Sequence, residues 1–320
     1  MKVSVATVTY NHAPYLEQAV RSALAQNTAF PFEIVLGEDC STDDTRAVAR
    51  RLTEANPERI RLRLQDRNVG LTRNTAETLT ACRGEYIAIL EGDDFWTDPE
   101  KLQIQADFLD ANPDCAWCFT RATVVDEKGS PLEAPPIVWE VREKYSLEDY
   151  LDRRFQPRFC TVMFRRGRFL EFPEWYYSMP TADFPIHVLT TFPHGKIGFI
   201  DRPMTAYRVH SGGVWSQGIT PGNPGTETAD LQRRMSRRYA ESVMLYEAAD
   251  RHLGGAYRSI LRRQIANHAE RWTELNVLLG DKPAAQKSSA IALRKRLMGG
   301  QIPSRKLLGA FLKSWAGTVA

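Results

Sequence analysis

Glu85-Tyr86-Ile87-Ala88-Ile89-Leu90-Glu91-Gly92-Asp93-Asp94-Phe95-Trp96-Thr97-Asp98-Pro99 begins as an apolar run and ends in a burst of acid. Tyr86 to Leu90 is nearly continuous hydrophobe, the composition of a strand covered on both faces in a parallel sheet. Glu91, Asp93 and Asp94 then fall where that strand leaves the sheet. In open α/β sheets, ligands sit just outside the carboxyl ends of the strands. Carboxylates this crowded repel one another, and a divalent cation relieves the repulsion. Carboxylate oxygens suit Mg2+ or Mn2+, which keep water and take substrate phosphates as further ligands. Gly92 permits a tight turn or a close approach. The plainer alternative is a solvated acidic turn into a helix, with Asp98 as N-cap and Pro99 at its first position. That accounts for Asp98 but not for an Asp pair placed directly after a buried strand.

Working outward, residues 1–112 alternate strand-like and helix-like patterns, which predicts βαβ units and a parallel sheet. Strands are expected at Lys2–Thr9, Phe32–Leu36 and Ile60–Leu64, with the quoted stretch as the fourth. Pro14 opens a helix in which Leu16, Ala19, Val20, Ala23 and Leu24 recur at helical spacing. Ser41 or Thr42 caps the next helix, with Asp43 and Asp44 in its first turn. Leu71 to Cys82 is a helix behind the Asn68-Val69-Gly70 loop. The ends near Thr9, Asp39 and Asp93 then line one edge of the sheet. A nucleotide there needs a base acceptor, which Asp39 offers, and acceptors for a ribose near Asp93. It also needs a metal and cationic donors for a pyrophosphate, and Arg73 at a helix start supplies charge.

The composition is that of an ordinary globular chain. Of 320 residues, 43% are hydrophobic and 25% charged, enough for a sizeable core, and the net charge of +3 does not call for nucleic acid. No apolar run approaches the roughly 20 residues of a membrane span. Met1-Lys2 runs straight into a strand-like segment, so a cytoplasmic protein is expected. Five cysteines follow no framework spacing, and Cys115-Ala116-Trp117-Cys118 reads as two thiols in a strand.

Four motifs in order resemble family 2 glycosyltransferases. Thr7-Val8-Thr9-Tyr10-Asn11 is similar to the family's opening strand and turn. Glu38-Asp39-Cys40-Ser41-Thr42-Asp43-Asp44-Thr45 resembles its Asp-x-Ser-x-Asp-x-Thr segment, and Asn68 to Asn74 its Asn-x-Gly…Arg-Asn loop. Glu91-Gly92-Asp93-Asp94 resembles its acidic metal motif, with Glu91 where many members carry Asp. The resemblance implies a GT-A fold, a Rossmann-like, mostly parallel sheet flanked by helices. It implies an inverting transferase taking a nucleotide-sugar donor, usually of UDP and sometimes of dTDP or GDP, and assisted by Mn2+ or Mg2+. Thr9, Asn11, Asp39, Arg73 and Asp93 would hold the nucleotide, and Asp93 and Asp94 the metal.

Further along, a strand is expected over Asp114–Val125, a turn at Asp126–Pro131, a helix opened by a Ser146-Leu147-Glu148-Asp149 cap, and strands at Cys160–Phe164 and Gly195–Ile200. Asp183 starts an amphipathic helix, where it is an N-cap or, by the resemblance, the general base. The aromatics at Trp175-Tyr176-Tyr177 are core or an acceptor platform. Tyr207-Arg208-Val209-His210 resembles the pattern that ends the family's catalytic domain, which makes His210 a ligand of the diphosphate or the metal. Residues 216–228, rich in Gly, Pro and Thr, are expected to form a loop over bound donor.

The expected domains are 1–220, a catalytic GT-A domain with halves 1–112 and 113–220, and a helical, basic region over 221–320. From Lys282 onward Lys282, Lys287, Arg294, Lys295, Arg296, Arg305, Lys306 and Lys313 meet no Asp or Glu, interleaved with apolar residues. That suits either peripheral contact with the inner face of an anionic membrane or a packed helix with a solvated basic face. The expected activity is sugar transfer to a hydroxyl of a glycan or lipid-linked acceptor, without nucleic acid as a partner. A nucleotidyltransferase is one alternative, although Thr9-Tyr10-Asn11-His12 is no Gly-rich phosphate loop; a membrane-tethered, non-catalytic scaffold is another.

Overall fold

The computed structural model describes residues 1–133, 139–168, 171–193, 195–213 and 229–315. The loop expected over 216–228 lies outside the described residues. The chain divides into two compact units, Met1–Ser211 and Gly212–Ala320.

The first unit is built on one sheet. Strands β1 (Val3–Thr9), β2 (Phe32–Glu38), β3 (Ile60–Leu64) and β4 (Tyr86–Glu91) are mutually parallel, in the order β3-β2-β1-β4. Every residue of β1 and β2 is buried, as a strand sandwiched between helix layers requires. Alternation assigns the two faces. Tyr86, Ala88 and Leu90 join Val3, Val5, Ile34 and Leu36 in one core, with α1 (Leu16–Leu24), α2 (Thr45–Ala55) and α4 (Lys101–Ala111). Ile87 and Ile89 join Ala6, Val35, Trp117 and Phe164 in the other, with α3 (Leu71–Ala81) and α6 (Asp183–Thr191).

Beyond β4 the sheet changes direction. The short strand β8 (Met163–Arg165) runs antiparallel to both β4 and β6 (Cys115–Val125). Of the strand expected at 160–164 only Met163 and Phe164 lie in β8; Phe159–Thr161 form a 3-10 turn instead. Strand β9 (Lys196–Arg208) continues eight residues past its expected end. It lies parallel to β6, with register shifts at Thr120 and Arg121, and antiparallel to β5 (Phe95–Trp96) and β7 (Lys144–Tyr145). Phe95 pairs with Ala206 and Trp96 with Thr205, which draws the end of β9 back over the acidic loop between β4 and β5.

Helix starts depart from the expected caps where a side chain found a better partner. Asp44, not Ser41 or Thr42, sits at the N-cap of α2, and Asp43 accepts from the Thr45 N–H at 2.9 Å. Helix α4 begins at Lys101; Asp98 accepts from the Glu100 N–H at 3.0 Å but is not the N-cap. In α5 (Leu147–Leu151) Ser146 and Asp149 form the reciprocal capping box. Cys115 and Cys118 are buried free thiols in β6.

The second unit is helical: α7 (Ala229–His252), α8 (Arg258–Leu279), α9 (Lys282–Met298) and α10 (Arg305–Trp315). Leu261, Ile265, Ala269, Ala285, Ala292 and Leu307 are buried within it. A Thr273–Ser288 hydrogen bond of 2.9 Å joins α8 to α9. Among the described residues, no helix is long and apolar enough to cross a membrane.

Candidate active site at the carboxyl edge of the sheet

Register places the candidate residues. Thr9 pairs with Glu38 on one side of β1, and Val8 with Glu91 on the other. Asp39 and the Asp93–Asp94 pair therefore leave the same end of the sheet, on strands flanking β1. Two strand spacings, about 10 Å, separate them at the backbone.

Asp93 is the meeting point. Its Oδ2 lies 3.1 Å from His210 Nε2 and 3.6 Å from His12 Nε2. The three donor atoms lie within 4.8 Å of one another. His210 comes from just beyond β9, His12 from the turn after β1, and Asp93 from the turn after β4. Burial alone would raise the Asp93 carboxyl; the two imidazoles outweigh it and hold it below the usual carboxylate range. Burial pushes the His12 imidazole down against the pull of Asp93, and the neighbouring His210 pushes the same way as burial.

Asp94 does not share this point. It is 2% exposed, and its Oδ1 accepts the Arg208 N–H at 2.7 Å. Its carboxylate groups instead with Glu91 and the Cys160 thiol. Burial, then the charge of Asp93, raises the Asp94 carboxyl well above its ordinary range. Glu91 is raised likewise by burial, then by Asp94, Asp93 and Asp183. Arg208 staples the loop in place. Its guanidinium donates to the backbone oxygens of Asp93 (2.8 Å) and Glu127 (2.7 Å) and to Gln18 (2.6 Å).

Asp39 is buried, and each of its oxygens already has a partner. Oδ1 accepts from the Val69 N–H at 2.8 Å and Oδ2 from the Gly70 N–H at 2.9 Å. Gly70 is the N-cap of α3 at φ +88°, a conformation that favours glycine. Desolvation raises the Asp39 carboxyl despite these donors, and each oxygen retains a second lone pair. Asn74, from the same motif, is turned to the core, donating to the Gly37 carbonyl at 3.0 Å. Arg73 stacks on the Tyr177 ring, 4.6 Å from its centre. Tyr177 belongs to the 3-10 turn Glu174–Ser178, which leads into Asp183.

Asp183 is the first residue of α6, but its side chain caps nothing; Ala182 is the N-cap. Its Oδ1 is buried without a hydrogen-bond partner among the described residues, and its charge acts on Glu91, which ties α6 to the acidic end of β4. Thr9 is buried, its hydroxyl likewise unpartnered. Asn11 holds φ +55°, and its Oδ1 accepts from the Thr42 N–H at 2.9 Å, so it shapes the turn after β1. His12 and Arg208 were not singled out as site residues by sequence reasoning. The signal for His12 was its position, three residues past the end of a buried strand.

The sequence matches the profile of Glycosyl transferase family 2 over residues 4–171. An uncharacterized protein of Mycobacterium tuberculosis is 33% identical over 219 residues, 68% of this chain. The match spans 62% of that relative's length. Among solved structures, residues 1–349 of S. aureus TarS in complex with UDP-GlcNAc superpose with a TM-score of 0.56 at 17% identity, covering 95% of this chain and 93% of that one. The mannosyltransferase PcManGT of Pyrobaculum calidifontis, in complex with GDP-Man and Mn2+, gives 0.52 at 18% identity, covering 98% and 87%. The fold is thus the GT-A α/β fold with helices C-terminal to it. The chain belongs to glycosyl transferase family 2.

Proposed function

We propose that the protein transfers a sugar from a nucleotide-sugar, with UDP the first candidate nucleotide, to a hydroxyl of a glycan or lipid-linked acceptor, with inversion. The observation that carries this reading is the Asp93–His210 pair, 3.1 Å apart at the carboxyl edge of the sheet. A carboxylate beside an imidazole is a donor set for Mn2+, and these two residues would hold it. Bound there, the ion would neutralise charge developing on the leaving diphosphate. Arg73 adds positive charge on the first turn of α3. Asp39 holds the 68–70 loop and keeps lone pairs for a base. Asp183 accepts the proton of the attacking hydroxyl; its unpartnered Oδ1 is the acceptor that role requires. Asp94 anchors Arg208 and so positions Asp93.

An anionic lipid surface is the partner proposed for the C-terminal helices. Leu308, Leu312 and Trp315 of α10 are 42%, 67% and 46% exposed, on a helix that also carries Arg305, Lys306 and Lys313.

A panel of nucleotide-sugars with Mn2+, read as nucleoside diphosphate release, tests the reading. Asp183→Asn is expected to bind the nucleotide as the native protein does and to lose transfer by roughly 10²-fold or more, the scale of general-base catalysis. Near-native turnover in that variant removes the base assignment.

A further inference from the structure

We infer that His12 is a third ligand of the metal, making a two-imidazole, one-carboxylate centre that selects Mn2+ over Mg2+. This rests on the metal reading of Asp93 and His210 above. His12 Nε2 faces the same carboxylate oxygen as His210 Nε2, at 3.6 Å against 3.1 Å. Donors bound to one ion at about 2.1 Å lie roughly 3.0–3.5 Å apart, so the spacing already suits a shared cation.

The placement of His12 is built into the fold. Its N–H donates to Thr45 Oγ1 at 2.8 Å, and the next N–H, of Ala13, donates to Asp43 Oδ2 at 3.2 Å. Its carbonyl accepts from the N–H groups of both Tyr15 and Leu16 at 2.9 Å, which ties it to the start of α1. On the far side, a Cβ at Gly92 would stand 3.0 Å from His12 Nδ1, so the glycine of the acidic loop makes room for the ring. His12 Nδ1 has no partner among the described residues. The ring is thus held by its backbone and by packing, with Nε2 directed at Asp93. Mg2+ takes oxygen donors and dehydrates reluctantly, whereas imidazole favours Mn2+, Fe2+ and Co2+ increasingly along the series. A second imidazole therefore widens the gap between Mn2+ and Mg2+.

The test uses the full chain and Mn2+ alone. Free Mn2+ is titrated by its room-temperature paramagnetic resonance signal, with Mg2+ as competitor, and pulsed resonance counts the imidazole nitrogens coupled to the bound ion. Two couplings are expected in the native protein and one each in His12→Gln and His210→Gln. The Mn2+-over-Mg2+ preference should fall at least tenfold in His12→Gln. One coupling in the native protein, unchanged in His12→Gln, overturns the role of His12 while the Asp93–His210 site stands. Failure of the native protein to bind Mn2+ better than Asp93→Asn overturns both. Should His12→Gln fail to fold, the count in the native protein decides.

Discussion

At the scale of single residues, the site depends on small side chains as much as on charged ones. Gly92 separates Glu91 from Asp93, and a Cβ there would lie 2.6 Å from Thr9 Oγ1 and 3.0 Å from His12 Nδ1. Gly92→Ala should therefore destabilise the first unit by about 1–3 kcal/mol, the usual cost of overpacking. It should also weaken Mn2+ binding by displacing His12. Denaturant titration and the Mn2+ titration read the two effects separately; unchanged values in both would mean the turn has room to spare. The adjacent aspartates have different surroundings. Asp93 faces the two histidines, while Asp94 accepts the Arg208 N–H and groups with Glu91 and Cys160. Both aspartates lie in the tight turn after β4, where the Asp94 N–H donates to the Glu91 carbonyl at 3.1 Å, and the turn sends the two side chains to different partners.

Among elements, α6 carries two groups with different roles. Asp183 opens it, and His187, one turn on, is fully buried, stacked on Trp117 at 4.4 Å and hydrogen-bonded to the Tyr150 hydroxyl at 2.8 Å. Burial pulls the His187 imidazole down from 6.5 to about 4. The unfolded chain therefore takes up this proton at a higher pH than the fold does. The contribution to stability is intact above 6.5, falls as the pH drops toward 4, and levels off below that. At 1.36 kcal/mol per pH unit the loss is roughly 3 kcal/mol. His187→Gln should lose less stability than the native protein between pH 7 and pH 4.5 in thermal denaturation. Parallel curves would show that His187 is not the group responsible. The elements themselves were largely legible. Val3–Thr9, Ile60–Leu64 and the Ser146 capping box stand close to where apolar runs and cap residues put them. Caps were less so, because Asp43 and Asp98 found backbone partners that a linear pattern does not rank.

On the scale of the whole molecule, the C-terminal helices pose the remaining question. Lys306 reaches Glu274 at 2.8 Å and Arg296 reaches Glu270 at 2.9 Å, so part of the basic charge is spent inside the helical unit. Leu312 and Trp315 remain exposed. The full chain should sediment with phosphatidylglycerol-containing vesicles and not with neutral ones. Each basic residue at the surface contributes about 1 kcal/mol, so added salt should release the protein. Leu312→Glu with Trp315→Glu should abolish sedimentation. Equal partition to neutral and anionic vesicles would remove the electrostatic part of the proposal.

What the sequence by itself determined was the parallel half of the sheet and the acids at its edge. Both follow from patterns a few residues long: a continuous apolar strand, a turn, a cluster of carboxylates. What only the tertiary structure decided was which acid faces which partner. His210 meets Asp93 because β9 runs on to pair with β5, two segments more than 100 residues apart, and His12 meets them because α2 clamps its turn. Those pairings come from strand register and packing across the sheet, and no local periodicity encodes them.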